Sequence, residues 1–191
     1  MRFLPIPLGP AFGLIAVLCF VPLYLVAVAM DPDYVFFENY LSDLGVGPGA
    51  WAFNAGLMLA GASMTLFAYL GLRKAIPKDP FALAGVVLLV LSGILLFNIG
   101  VFTEDYGDLH TAISYSFFLV LLAAIGVLAV AFHRTKTLGR VGVTASSVSF
   151  AIGAMLVATG GNPFTETMAV LVALAWGSII SSSLLLSLRD G

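Results

Sequence analysis

The chain is expected to be an all-α integral membrane protein: a six-transmembrane-helix bundle with N- and C-termini cytoplasmic. Three observations lead there. Six apolar runs follow one another along the 191 residues, each close to the about 20 residues that cross a bilayer as a helix. The composition is 61% hydrophobic and 9% charged, against about a quarter charged in a soluble domain. Little chain is therefore left outside the bilayer, and the whole of 1–191 reads as a single transmembrane domain. The charges are also segregated. Arg2, Arg73, Lys74, Lys78, Arg134, Lys136, Arg140 and Arg189 lie at the ends and in alternate connections, while Asp31, Asp33, Glu38, Asp43, Glu104, Asp105, Asp108 and Glu166 lie in the others. Short cytoplasmic loops collect Lys and Arg. The acidic loops are thus expected to be extracytoplasmic, in a multi-pass protein of the cell membrane.

The spans are placed at about 9–30, 50–72, 81–101, 109–132, 141–159 and 165–188. Helices are required because backbone in a bilayer must satisfy its own hydrogen bonds. The first run has a rival reading as a signal peptide, from Met1-Arg2 and the Ala27-Val28-Ala29 triplet. It is long enough to span, and Asp31-Pro32 opens a loop after it, which favours a retained helix. The two basic connections, near 73–80 and 133–140, are short turns broken by Pro77, Pro80 and Gly139. The longest connection, 31–49, carries four acids and ends in Gly-Val-Gly-Pro-Gly. Its Tyr34, Phe36, Phe37 and Tyr40, with Trp51, suit an interfacial belt, and a short amphipathic piece is expected to lie on the membrane. Phe102-Thr103-Glu104 recurs as Phe164-Thr165-Glu166, either a trace of repetition or chance.

Small residues recur at four-residue spacing in the fifth run (Ala145, Ser149, Gly153) and the second (Gly56, Ala60, beside Gly61). Such faces let helix backbones approach closely, in the bundle core or in a homo-oligomer. Cys19 lies in an apolar run as a small hydrophobe. The net charge of −2 and the short basic loops give no case for nucleic acid; membrane lipids are the expected partners.

The candidate site follows from polar groups at membrane depth, which are expensive unless paired or facing a cavity. Asn54 and Asn98 lie about 5 Å below the outer boundary at about 1.5 Å per residue. His110 opens the fourth span at that level, with Ser114 one turn deeper on the same face. Asn162 and Glu166 flank the start of the sixth. The layer either pins the helices together or lines an outward-opening pocket beneath the loop acids. Glu104, Asp105, Asp108 and His110 fall within seven residues, and a carboxylate held beside a histidine suits acid–base work or a hard cation. His110, at a helix start, is expected outside the deep core. Zinc is disfavoured for want of thiolates and histidines. Two-histidine haem is disfavoured because His110 and His133 lie about 34 Å apart along one helix. No Ser-His-Asp order at nucleophile spacing, phosphate loop or dinucleotide fingerprint stands out.

Ser42-Asp43-Leu44-Gly45, Pro48, Phe53-Asn54 and Gly56 resemble the first signature of the prokaryotic membrane proteins of domain of unknown function 998. Gly100-Val101-Phe102-Thr103-Glu104 followed by His110 resembles the second. The chain is more distantly similar to the eukaryotic Frag/DRAM/Sfk six-helix group. The resemblance covers most of the chain, with its specific part near 39–110. It implies a six-helix cell-membrane protein and, through the eukaryotic group, lipid handling, but no established reaction. Asp105 and Asp108 thicken the acidic stretch beyond the pattern.

The expected catalytic candidates are therefore Asp43, Glu104 and His110. The expected binding residues are Asn39, Ser42, Asn54, Asn98, Asp108, Ser114, Asn162 and Glu166. No cofactor is expected unless a divalent cation sits at the outer acidic loops. The leading function is an outer-leaflet pocket that binds or modifies a lipid headgroup. The alternatives are a transporter for a small solute or cation, and a non-catalytic membrane scaffold. The first outer loop is expected to pack onto the bundle, because Ser and Asp favour caps and Gly45 permits a reversal.

Overall fold

The computed structural model describes residues 8–188. Six helices are long and apolar enough to cross a membrane: α1 (Leu8–Met30), α2 (Ala50–Ala75), α3 (Pro80–Val101), α4 (Asp108–Thr135), α5 (Gly139–Ala158) and α6 (Pro163–Ser187). They run a few residues past the expected limits at several ends, because capping turns extend them into the loops. Asp79 caps α3, its carboxylate accepting from Phe81 N at 2.9 Å, and Pro80 takes the first-turn position where a missing N–H costs nothing. Asn162 does the same for α6, accepting from Thr165 N at 3.0 Å. No strand occurs among the described residues. The protein is a multi-pass membrane protein.

Each helix packs on its chain neighbours, and α6 returns to α1, so the six close into a ring. Short connections force antiparallel neighbours. All described Lys and Arg therefore gather at one end, with Asp79, and the other eight described acids at the opposite end. Arg2, Arg189 and the two chain ends lie outside the described residues. Glycine decides how close the backbones come at α2–α3. A Cβ on Gly61 would stand 2.5 Å from the Gly93 carbonyl oxygen, and one on Gly100 would stand 2.6 Å from that of Asn54. At the basic end of α2, Phe67–Leu72 winds as a π-helix beside the start of α1. There a Cβ on Gly71 would lie 2.9 Å from the Gly9 oxygen. The seams of α5 with α4 and α6 are sparser than those of α3. Large apolar side chains such as Leu18, Leu83, Val87, Leu119, Val148, Met155 and Leu171 lie exposed around the ring, as lipid contact requires.

The 31–49 connection is folded down onto the acidic end of the bundle. Leu41 and Leu44 are buried at 4% and 0% exposure, so its short 3-10 turn, Leu41–Gly45, docks into the bundle rather than lying on a surface. Asp43 Oδ2 accepts from Tyr40 N at 3.0 Å, and Asn54 Nδ2 donates to the Gly45 oxygen at 2.8 Å. A Cβ on Gly45 would meet Asn54 Oδ1 at 2.9 Å. The Ser-Asp-Leu-Gly motif is thereby explained one residue at a time: a turn cap, a core anchor and a close approach, with Ser42 left over. Phe37, held at φ +71, packs against Phe164 of α6 with ring centroids 5.3 Å apart. The loop is fastened over α6 even at a residue whose backbone is strained.

Candidate functional site

A cavity of about 330 Å³ lies between α4, α5 and α6 and reaches up to the docked loop. Ser42, Glu104, His110, Ser114, Asn162 and Glu166 line its polar end, while Phe118, Leu121, Leu122, Ile125, Leu156 and Val172 line the rest. From His110 to Ile125 the α4 wall is about 22 Å long at ~1.5 Å per residue. Ser149 and Gly153 of the small-residue stripe line it too. On α5 these side chains leave space for the cavity rather than bringing two backbones together. Side chains of ordinary size there would close the slot.

His110 is 7% exposed, more buried than a helix start leads one to expect. The reason is the Phe102 carbonyl, left free at the end of α3, which lies 2.7 Å from His110 Nδ1 and draws the ring inward. Its Nε2 faces Ser114 Oγ at 3.4 Å. Glu104, at the start of the turn into α4, is half-buried at the same level. Burial pushes its carboxyl above the ordinary glutamate range, and the charge of Asp43, a shared hydrogen bond with it and the charge of Asp105 add to the rise; His110 opposes it. Glu166 Oε2 accepts from Leu41 N at 2.7 Å, joining residues 125 apart in sequence. No Lys or Arg lines the cavity.

The expected site residues separate into two groups. Ser42, Glu104, His110, Ser114, Asn162 and Glu166 come together on the cavity wall. Asp43 stands behind Glu104 and shapes the loop. Asn54 is occupied by Gly45, and Asn98 donates to the Ile94 oxygen at 2.8 Å on its own helix. Asn39 Oδ1 accepts from Val35 N at 2.9 Å within the loop, and Asp108 is exposed at the start of α4. Asn54, Asn98 and His110 share a depth but do not enclose one space. Depth fixes only the level along a helix; the direction around it is set by which neighbour the helix packs against. Glu104 and Glu166, the last residues of the recurring triplets, both reach the cavity, although the first triplet ends α3 and the second opens α6. Tyr40 and Thr165 also line it; their only signals in sequence were an aromatic-belt pattern and that triplet. Among the described residues, no group of three His, Cys, Asp or Glu side chains is arranged to hold a metal ion.

The profile of the family described as "Protein of unknown function (DUF998)" matches residues 14–184. The chain belongs to the DUF998 family. The match includes the greater part of α1 and α6 and all of the four helices between them, so the docked loop and the cavity wall fall inside the DUF998 region. No curated protein and no solved structure matches the chain. The more distant likeness to the Frag/DRAM/Sfk group is not shown by the DUF998 match.

Proposed function

We propose that this DUF998 protein binds a membrane lipid, with the hydrocarbon chain in the α4–α5–α6 slot and the headgroup among Ser42, Glu104, His110, Asn162 and Glu166. The acidic end faces the outer leaflet of the cell membrane in this reading, following the basic loops. The observation that carries it is the cavity's division along its length: hydrogen-bonding and acidic groups at the interfacial end, apolar side chains for the remainder. A ligand pocket of this kind buries an apolar body and fixes orientation with a few polar groups. With carboxylates and no Lys or Arg on the wall, the favoured headgroups are cationic or hydroxylated. A bare phosphate would face like charge, which disfavours it. Leu121, Ile125 and Ala173 floor the slot with apolar groups, which weighs against a path for solutes toward the basic end. Of the hydroxyls beyond it, Ser181 is committed to the Pro10 oxygen at 2.5 Å and Ser146 accepts from Trp176 Nε1 at 3.0 Å.

The test is binding of fluorescent single-chain lipids to the purified protein in detergent. An amine-headed or glycerol-headed chain should bind at least about tenfold more tightly than a phosphate-headed one, a difference of ~1.4 kcal/mol. Gly153→Phe should abolish binding while the protein stays folded, because its ring enters the slot past Leu122, whose flexible end lies 2.9 Å from a Cβ at that position. Equal affinity for the three headgroups, or full binding by a folded Gly153→Phe variant, would overturn the reading.

A further inference from the structure

Ser114 sits where the polar and apolar parts of the cavity meet, one turn along α4 from His110. A carbonyl oxygen only accepts, so the Phe102 oxygen at 2.7 Å requires the proton on His110 Nδ1. In the neutral ring the lone pair is then on Nε2, and Nε2 faces Ser114 Oγ at 3.4 Å. The direction of the Ser114 hydroxyl is informative. Thr65, Ser92, Thr111, Thr135 and Ser178 each donate to the carbonyl four residues earlier in their helices, the usual resort of a helical hydroxyl. Ser114 turns to the imidazole instead. A hydroxyl, a base within reach of it and a third group that fixes the tautomer of the base are the parts of an activated nucleophile, and their spacing is often looser before substrate binds. Here the third group is a backbone carbonyl rather than a carboxylate.

We propose that Ser114 is a nucleophile with His110 as its general base, and that the protein transfers the acyl group of a lipid ester. This rests on the lipid-pocket reading and adds a reaction to it. Ser114 Oγ bonds to the ester carbonyl carbon while His110 Nε2 takes the hydroxyl proton. The bond from that carbon to the alkoxy oxygen then breaks, and the headgroup leaves as an alcohol carrying the proton back from Nε2. The acyl group remains esterified to Ser114 until water, or the hydroxyl of a second lipid, attacks it by the same proton relay and restores the Oγ–H. The apolar wall from Ser114 to Ile125, about 16 Å at ~1.5 Å per residue, receives the acyl chain, and the leaving alcohol lies toward Ser42, Glu104 and Glu166. Asn162 Oδ1 is held by Thr165 N at 3.0 Å, which leaves its amide N–H groups as side-chain donors on the cavity wall for the developing oxyanion.

The experiment treats the full chain in detergent with a long-chain alkyl fluorophosphonate and maps the adduct by mass spectrometry, alongside binding of a fluorescent alkylamine to the same preparation. The adduct should form on Ser114. His110→Gln should slow it by at least about 100-fold, the usual contribution of a general base. Ser178→Ala, which removes a hydroxyl with an ordinary backbone partner, should label as the parent does. If Ser114→Ala folds poorly, the peptide map of the parent protein still decides the matter. An adduct on another serine, or no adduct in protein that binds the alkylamine, overturns the Ser114 assignment and leaves the pocket reading standing. No adduct and no alkylamine binding overturns both.

Discussion

Glu166→Ala is the most informative single change, because one hydrogen bond fastens the docked loop to α6. Glu166 Oε2 accepts from the Leu41 amide at 2.7 Å, and Leu41 is 4% exposed. Removing the acceptor leaves the buried Leu41 amide unsatisfied, which costs about 1–3 kcal/mol. Alanine should therefore destabilise the fold by about 1–3 kcal/mol. For a chain of this size that is a fall of roughly 2–12 °C in thermal midpoint, at about 2–4 °C per kcal/mol. Glu166→Gln keeps a carbonyl acceptor in place and should lose about 1 kcal/mol or less, since a neutral bond still contributes about 0.5–1.5 kcal/mol. Thermal unfolding of both variants in one detergent gives the comparison, and limited proteolysis within 31–49 reports whether the loop has lifted. Equal losses for alanine and glutamine would show that the side chain's bulk matters and the bond does not. An unchanged midpoint for Glu166→Ala, with the loop still protected, would refute the latch altogether.

Four further outcomes are expected. Burial, with Asp43 and Asp105 adding to it, raises the Glu104 carboxyl above its ordinary value of 4.5, so the folded state holds that proton more tightly than the unfolded chain does. Its effect on stability is then absent below pH 4.5 and grows as a loss while pH rises through the raised folded value; midpoints measured across mildly acidic to neutral pH should fall, and Glu104→Gln should flatten that slope. Gly61→Leu should cost at least about 1–3 kcal/mol or abolish folded yield, because its Cβ meets the Gly93 backbone oxygen at 2.5 Å; a normal yield and midpoint would refute the tight α2–α3 seam. Asp79→Ala should lower the thermal midpoint by removing the α3 cap as well as the ion pair, whereas Arg134→Ala should lower it less because the 2.9 Å pair is half exposed on the arginine side; the two midpoints, compared, separate cap from ion pair. A cysteine at Asp105 should react with an impermeant thiol reagent on intact cells and one at Lys136 should not; labelling of both from the same side would refute the topology, and labelling of Lys136 alone would reverse it.

The chain's composition and its apolar runs were enough to number the helices and place them to within a few residues, because a helix in a bilayer must satisfy its own backbone and have the length to cross. They were also enough to sort the charges by end, since short connections make neighbouring helices antiparallel. His110, Asn162 and Glu166 could be set at one level, with Ser114 one turn deeper, for the same reason: rise per residue is a local quantity. What sequence could not supply was direction around each helix. Asn54 and Asn98 share the level of His110 yet turn to Gly45 and Ile94, and Ser149 and Gly153 read as a packing stripe although they border empty space. These helices are apolar nearly all round, so no amphipathic face in sequence points inward. Only the closing of the ring, α6 onto α1, decided which stripe of each helix faced a neighbour, which faced lipid and which faced the cavity. The Leu41–Glu166 bond and the turning of His110 toward the Phe102 carbonyl belong to that same level of organisation, because each joins groups whose approach depends on how separate elements pack.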